Sequence, residues 1–307
     1  MALRSLDNAL PASLERPRKA PKISPAKPPL YPSINNENSS LTPPPPKPAD
    51  QSIEYISSEN LAALSDPQNK IKSVLEELES KDWIRVCEAL NDVRRLALHH
   101  QSLLHPILEN VMLVIVKSMK SPRSALCKTS IMASTDIFQS FGYLLPSISE
   151  DACAFDHLLL QLLMKASQDK KFVCEEAEKA LEAMASFISS LPLIKKLQPC
   201  VNHANLRVRA KAAVSISKCV SKMDIETMKE FGLVVLLQIA AELLNDKLPE
   251  AREAARSIIN SVHNGFSKNN ELKVDDESSA TTESWQDFCS SNLPPISAQS
   301  VAKIVLQ

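Results

Sequence analysis

Cysteine chemistry is the first possibility that the residue types raise. The chain has 307 residues and seven cysteines, at positions 87, 127, 153, 174, 200, 219 and 289, with no Cys-x-x-Cys pair among them. Most fall at apolar positions of helical patterns, where a free thiol packs as a small hydrophobic group. An odd and unpatterned set of this kind favours the reducing cytosol over a disulfide framework.

Histidine and the common catalytic motifs give no better case for an active site. His99, His100 and His105 lie close in sequence, but no cysteine or carboxylate cluster with ligand spacing accompanies them. A helix C-terminus, where imidazole meets free carbonyl groups, explains them more simply than a metal site. There is no H-E-x-x-H, no G-x-S-x-G and no Gly-rich phosphate loop. We therefore expect no enzyme, no metal, no cofactor and no small-molecule substrate.

A different chemistry stands out in five short turns, each of which carries a cation, several of them beside an apolar residue. A row of such turns suits an acidic protein partner, because charge steers the encounter and apolar anchors supply affinity. The turns are Lys81-Asp82-Trp83, Ser121-Pro122-Arg123-Ser124, Asp169-Lys170-Lys171-Phe172, Asn205-Leu206-Arg207 and Asp246-Lys247-Leu248-Pro249.

The elements that position these turns are predicted to be helices. The chain contains only three glycines, which argues against β-hairpin folds and phosphate-binding loops that depend on glycine. A formal net charge of −1 offers no electrostatic case for a nucleic-acid or membrane partner. No apolar run reaches the ~18 residues needed to span a bilayer, and the first 20 residues lack a signal-peptide pattern. We expect a soluble, cytoplasmic, all-α protein.

Composition divides the chain into three parts. Residues 1–65 are predicted to be a disordered, mildly basic tail, because 12 of the 21 prolines lie within residues 1–50. Residues 66–265 carry apolar side chains with helical periodicity and are predicted to be one repeat domain. Residues 266–307 are predicted to be an acidic and mostly disordered tail, with a possible short helix near residues 296–306.

Five helix pairs within residues 66–265 resemble one another. Their second helices align at a spacing near 40 residues, which is typical of HEAT and armadillo repeats. A single pair cannot bury its apolar face, so the five must stack into an α-solenoid and place their internal turns along one side, here called the turn edge. The aligned columns are Val86, Cys127, Ala177, Ala210 and Ala251; Ala89, Ser130, Ala180, Ala213 and Ala254; and Leu90, Ile131, Leu181, Val214 and Ala255.

The aligned turns also carry a resemblance to a known family. Residues 81–90 (KDWIRVCEAL) resemble the opening turn and helix of a TOG domain, the tubulin-binding HEAT domain of microtubule polymerases, CLASP proteins and crescerin-type proteins. The later units resemble the CLASP and crescerin branch at residues 121–131 (SPRSALCKTSI), 170–181 (KKFVCEEAEKAL), 205–213 (NLRVRAKAA) and 246–258 (DKLPEAREAARSI).

The resemblance implies a tubulin- or microtubule-binding protein of the cytoskeleton that acts through its turn edge. Trp83 would then be the apolar anchor. The remaining contacts implied by position are Pro122, Arg123, Lys170, Lys171, Phe172, Asn205, Arg207 and Lys247. Two features depart from the family. Such domains usually have six repeats, whereas this sequence shows five. Microtubule polymerases carry several such domains in series, whereas this sequence has room for one.

Alternatives remain open from the sequence. The domain could be a HEAT or armadillo adaptor that binds another protein through its helical faces, without a link to tubulin. Trp83 could staple its turn to the core instead of standing exposed, and Phe172 fits the core better than a contact surface. The lysines of the turns could be solubilising residues. We also expect either Arg207 or Arg209 to pair with a neighbouring acid such as Asp224.

Overall fold

The computed structural model describes residues 55–145, 153–274 and 284–305, and within those ranges the chain is helical and contains no β-strand. Short 3-10 turns occur at Ser58–Asn60, His105–Ile107 and Gln198–Asn202. The α-helices are α1 Pro67–Leu78, α2 Trp83–His99, α3 Gln101–Leu104, α4 Leu108–Met119, α5 Ser124–Phe141, α6 Cys153–Lys165, α7 Lys171–Phe187, α8 Ser190–Leu197, α9 Leu206–Val220, α10 Ile225–Phe231, α11 Leu233–Leu243, α12 Pro249–Val274, α13 Trp285–Asn292 and α14 Pro295–Ile304.

The helices form two layers of antiparallel pairs. The second helices of successive pairs, α2, α5, α7, α9 and α12, pack side by side in that order, and first helices such as α4 and α6 pack on one another in the other layer. Each pair closes the apolar face of the next, which is the arrangement of a HEAT or armadillo α-solenoid. The predicted all-α solenoid is confirmed.

Small residues set the spacing between the second helices. Ala89, Ser130, Ala180 and Ala213 have no exposed surface and Ala254 is 4% exposed, so neighbouring helices approach closely at these positions. Of the three aligned columns, Val214 alone is half-buried and the other members are buried.

One long apolar segment of the described chain belongs to the core of this stack. Gln101–Met119 is long and apolar enough, by composition, to cross a membrane. A 3-10 turn that contains Pro106 divides it into α3 and α4. Leu104, Val111 and Ile115 have no exposed surface, because α4 packs between α5 and α6. Burial in the domain therefore accounts for the hydrophobicity of this segment.

The domain begins earlier than the predicted boundary at residue 66. Leu61 is 3% exposed, and the Nε2 atom of His99 donates a hydrogen bond to its carbonyl oxygen over 2.7 Å. The guanidinium of Arg94 donates to the carbonyl oxygen of Ile56 at 2.8 Å. Residues 55–61 therefore form a strap that runs over α2 and α5. The rest of the predicted N-terminal tail, residues 1–54, lies outside the described residues.

The prediction of a mostly disordered C-terminal tail is wrong for residues 266–274 and 285–292, whereas the possible short helix near residues 296–306 is present as α14, Pro295–Ile304. Helix α12 continues to Val274, and α13 and α14 form a pair that packs on α11 and α12. Aromatic contacts hold this pair in place, since Trp285 and Phe288 lie 5.5 Å and 5.0 Å from Phe266 between ring centroids. The pair occupies the place of a sixth repeat. Residues 275–283 and 306–307 lie outside the described part of the chain.

Gly142 gives a direct test of how closely the pairs are stacked. A Cβ atom at this position would overlap the carbonyl oxygen of Phe187, which belongs to the next repeat. We expect Gly142→Ala to lower the free energy of unfolding by about 1–3 kcal/mol, the usual cost of overpacking, because backbone must move. Chemical denaturation followed by circular dichroism measures this. Gly265→Ala is the control, because its Cβ would meet the flexible side chains of Ile225 and Met228 instead; an equal loss there would contradict the explanation.

Candidate partner-binding site

The first three turns of the turn edge contact one another through their side chains. The guanidinium carbon of Arg123, in the second turn, lies 4.8 Å from the centroid of the Trp83 ring in the first turn. Lys170 Nζ, in the third turn, donates a hydrogen bond to Ser124 Oγ in the second turn over 3.2 Å. These three turns therefore lie side by side in chain order.

The fourth and fifth turns continue the same row. Arg207 Nη1, in the fourth turn, donates to Asp169 Oδ1 of the third turn at 2.5 Å. Arg209, two residues further into α9, donates through Nε to Asp246 Oδ2 of the fifth turn at 3.0 Å. The five turns form one edge, as equivalent loops of a solenoid should.

Short polar side chains fix the shape of four of these turns. In each case a side-chain oxygen accepts a hydrogen bond from the backbone nitrogen two residues later, and for Ile84 and Arg207 this satisfies a free donor in the first turn of the following helix. The pairs are Asp82 with Ile84, Ser121 with Arg123, Asn205 with Arg207, and Asp246 with Leu248. The turn residues are thereby presented from the rigid ends of α2, α5, α9 and α12.

Trp83 combines the two roles that the sequence left open. Its side chain is half-buried and packs against the core, as a staple would. The guanidinium of Arg123 lies over its ring, in a cation–π contact at the surface of the edge. The indole and the guanidinium therefore form one composite surface at the start of the row.

Phe172 is exposed, and the expectation that it belongs to the core is wrong. Its exposed fraction is 44%, whereas Val173, the next residue of α7, is 2% exposed. The buried stripe of α7 runs through Val173, Ala177 and Ala180, and a helix turns by about 100° per residue, which carries Phe172 off that stripe. Phe172 is an apolar side chain available to a partner.

Both arginines of the fourth unit pair with a neighbouring acid. The acid is not Asp224, which the sequence analysis gave as the example. Arg207 pairs with Asp169, and Arg209 with Asp246. Asp224 instead caps α10 by accepting a hydrogen bond from the backbone nitrogen of Thr227. The hydrogen bond with Asp169 raises the pKa of the Arg207 guanidinium, so this cation stays charged at every physiological pH.

The remaining predicted contacts lie on the open surface of the edge. Lys171 pairs only loosely with Glu175, at 3.7 Å, and its side chain is 88% exposed. The predicted contact residues that are exposed are Pro122, Arg123, Lys170, Lys171, Phe172, Asn205, Arg207 and Lys247. The edge thus combines cations with the apolar surface of Trp83, Pro122 and Phe172.

The thiols contribute no comparable site. Burial raises the pKa of the Cys87 thiol to about 11 and that of Cys219 to about 12, so both remain protonated at neutral pH. Throughout the described ranges, no three His, Cys, Asp or Glu side chains lie together as a metal site would require. His99 is the last residue of α2, the helix C-terminus that the sequence indicated.

Sequence reasoning missed the acids that hold the edge together. Asp169 and Asp246 lie inside the turns, but the sequence pattern predicted a role only for their cationic neighbours. Each binds an arginine about 40 positions away, Arg207 and Arg209 respectively. The available signal was the repeat alignment itself, because it places the acid of one turn beside the cations of a neighbouring turn: Asp169 lies in the turn before the fourth unit and Asp246 in the turn after it.

Fold and site together define an α-solenoid of the HEAT and armadillo type whose internal turns form a continuous basic and apolar edge. The CLASP N-terminal family matches residues 64–283 of the sequence. The chain belongs to that family.

Two curated relatives are similar to this chain over part of their length. The TOG array regulator of axonemal microtubules protein 1 of Mus musculus is 28% identical over 212 residues, which is 68% of this chain and 12% of the relative. The protein of the same name in Homo sapiens is 28% identical over 138 residues, 45% of this chain and 8% of the relative. The chain thus spans a small part of the relatives it matches.

Solved structures share the fold at low sequence identity. One described as "TOG domain structure from C.elegans Zyg9" has a TM-score of 0.54 at 13% identity and covers 76% of this chain and 80% of its own. One from "Structural Basis of Microtubule Plus End Tracking by XMAP215, CLIP-170 and EB1" has a TM-score of 0.56 at 14% identity, with 80% and 93% covered. These likenesses show the TOG-type fold.

Proposed function

We propose that the domain binds tubulin, free or in microtubules, through its turn edge, and that the protein is a non-enzymatic component of the cytoplasmic microtubule cytoskeleton. The observation that carries this proposal is the continuity of the edge: five turns in contact, from the Trp83–Arg123 pair to Lys247. The relatives, which are named as regulators of axonemal microtubules, support the choice of partner.

The edge has the physical properties that such an interface needs. Exposed lysines and arginines attract an acidic surface over several ångströms and speed the encounter. Trp83 and Phe172 provide apolar area that gains free energy when water leaves it. Because the turns are held by capped helix ends and by contacts with one another, they lose little conformational freedom on binding.

The adaptor alternative would use the outer face of the second helices, and that face is largely neutralised by its own ion pairs. Lys211 contacts both Glu178 and Glu250, at 2.8 Å and 2.9 Å. Lys218 contacts Glu182 at 3.0 Å. Charges that are already paired offer less to an incoming partner than the open cations of the turn edge. The distribution of charge therefore favours the edge.

Charge reversal tests which surface binds. We expect Lys247→Glu to weaken tubulin binding by about threefold to tenfold at low ionic strength, and by less as salt screens the contact. Co-sedimentation with microtubules and gel filtration with free tubulin measure the two states of the partner. The matched control is Lys218→Glu, which makes the same charge change on the second-helix face.

Each outcome separates the two functions. A larger effect of Lys247→Glu than of Lys218→Glu supports the turn edge, and the reverse order supports the helical face. If the folded wild-type domain binds neither tubulin nor microtubules at micromolar concentration and low salt, the tubulin proposal is wrong and the adaptor alternative replaces it.

A further inference from the structure

An open recess of about 780 Å³ lies on the turn edge between its third, fourth and fifth turns. The half-buried side chains of Leu206 and Leu248 give it an apolar floor, and Asp169, Lys170 and Arg207 stand around it. Among the side chains that line this recess, all within the described ranges, Lys170 and Arg207 are the cations and Asp169 is the acid. Cations beside an apolar floor suit an acidic side chain with a short aliphatic stem.

In the unbound protein, the acid that pairs with Arg207 belongs to the same chain. Arg207 Nη1 lies 2.5 Å from Asp169 Oδ1 and 3.3 Å from the carbonyl oxygen of Ser167. The Asp169 side chain is 90% exposed and that of Arg207 is 56% exposed. An ion pair this open to water adds little net stability, since both groups keep most of their hydration. It can be exchanged for another carboxylate at small cost.

We propose that Asp169 is a built-in counter-ion of Arg207, which a carboxylate side chain of the protein partner replaces when it enters the recess. This inference rests on the proposed function for the identity of the partner, tubulin. Before binding, Asp169 and Ser167 hold the guanidinium extended over the recess. On binding, the partner's glutamate or aspartate takes the Nη1 donor and Asp169 turns outward to water.

Lys170 makes the recess selective for a negative group during that exchange. Its ammonium is held by the neutral hydroxyl of Ser124, at 3.2 Å, and forms no ion pair with a carboxylate of the described residues. Two cations and one acid already give the lining of the recess a net charge of +1, and the charges of Lys170 and Arg207 are no longer offset once Asp169 turns outward to water. Asp169 sets the affinity, because its carboxylate competes with the partner's carboxylate for the Arg207 donor.

The first test removes the competing charge and keeps the shape of the side chain. We expect Asp169→Asn to tighten binding to free tubulin by about threefold to tenfold at low ionic strength, with a steeper dependence on salt. Glu182→Gln is the matched control, because Glu182 is also an exposed acid in an ion pair, with Lys218, but lies on the second-helix face. It changes net charge equally and should leave binding unchanged.

A double-mutant cycle separates exchange at Arg207 from repulsion at a distance. If the partner takes the place of Asp169 on Arg207, Asp169→Asn should have no effect on binding once Arg207→Ala is present. A gain that persists in the Arg207→Ala background, an equal gain in Glu182→Gln, or a loss of binding in Asp169→Asn would each overturn the inference. Thermal unfolding of every variant confirms that the comparison is between folded proteins.

A peptide probe keeps this result distinct from the proposed function. Hexaglutamate, titrated against the wild-type domain and Asp169→Asn, should bind the variant at least threefold more tightly. If tubulin binds and Asp169→Asn changes nothing, the proposed function stands and the inference falls. If tubulin does not bind, the proposed function falls and hexaglutamate alone decides whether Arg207 exchanges its acid.

Discussion

Asp136→Ala is expected to lower the free energy of unfolding by about 3–5 kcal/mol, because it leaves a buried arginine without its counter-ion. Arg94 Nε lies 2.6 Å from Asp136 Oδ2, and the two side chains are 1% and 0% exposed. A guanidinium that is removed from water and loses its carboxylate has no replacement partner for the lost charge. Urea denaturation followed by circular dichroism measures the loss.

The same ion pair attaches the N-terminal strap to the solenoid. Ser58 Oγ donates to Asp136 Oδ1 at 2.6 Å, and Arg94 donates to Ile56 O at 2.8 Å. Asp136 lies on α5 and Arg94 on α2, so one network joins two repeats and the strap. We therefore expect hydrogen exchange in residues 55–61 to accelerate in Asp136→Ala before the rest of the domain is affected.

Two controls show whether burial of the charge is the cause. Arg256→Ala removes one member of an exposed pair with Glu253 and should change stability by less than about 1 kcal/mol. The double variant Arg94→Met with Asp136→Leu should be more stable than Asp136→Ala, since it leaves no isolated charge in the core. A loss of less than about 1 kcal/mol in Asp136→Ala itself would contradict the buried-charge explanation.

The solenoid could be predicted from the sequence because its determinants are local and repeated. Ala89, Ser130 and Ala180 occupy the same position in the repeat and are all buried, because each unit packs against its neighbours in the same way. Glycine scarcity and 3.6-residue periodicity pointed to the same fold. The fold could be predicted from one sequence because these independent local signals agree.

The two ends of the domain could not be read in the same way. Residues 55–61 have no helical period, and they are fixed by Arg94 and Asp136, which lie about 40 and 80 positions away. In the last pair, acidic residues made the average composition polar and concealed Trp285 and Phe288. Those rings are half-buried, and they pack against Phe266 of α12. Both ends of the domain are fixed by residues that are distant in sequence, and local composition does not reveal such contacts.

For a related reason, the positions of the turn residues could be predicted, but their contacts could not. Position within a repeat gave the place of Arg207 and Lys247, because turns between fixed helices project alike. It did not give the partner of Arg207, which depends on the distance between two turns in the folded stack. The sequence neighbours of Phe172 wrongly indicated the core, because a residue at the start of a helix has too few neighbours in sequence to define its face.

Trp83→Ala is expected to weaken tubulin binding by about 2–4 kcal/mol, the usual range for an aromatic hot-spot residue. The indole is half-buried, so the same substitution also removes packing within the domain. We expect a loss of roughly 1–3 kcal/mol in stability, below the 3–5 kcal/mol typical of fully buried large aromatic residues. Binding must therefore be measured at a temperature where the variant is fully folded.

Phe172→Ala and Arg123→Ala divide the effect of Trp83→Ala into its parts. Phe172 is exposed and should change stability by less than about 0.5 kcal/mol, so any lost binding there is direct. Arg123→Ala uncovers the indole without removing it. If the indole itself meets tubulin, Trp83→Ala weakens binding more than Arg123→Ala at equal foldedness. If the two weaken binding equally, the partner contacts the guanidinium, and Trp83 serves to hold Arg123 in place.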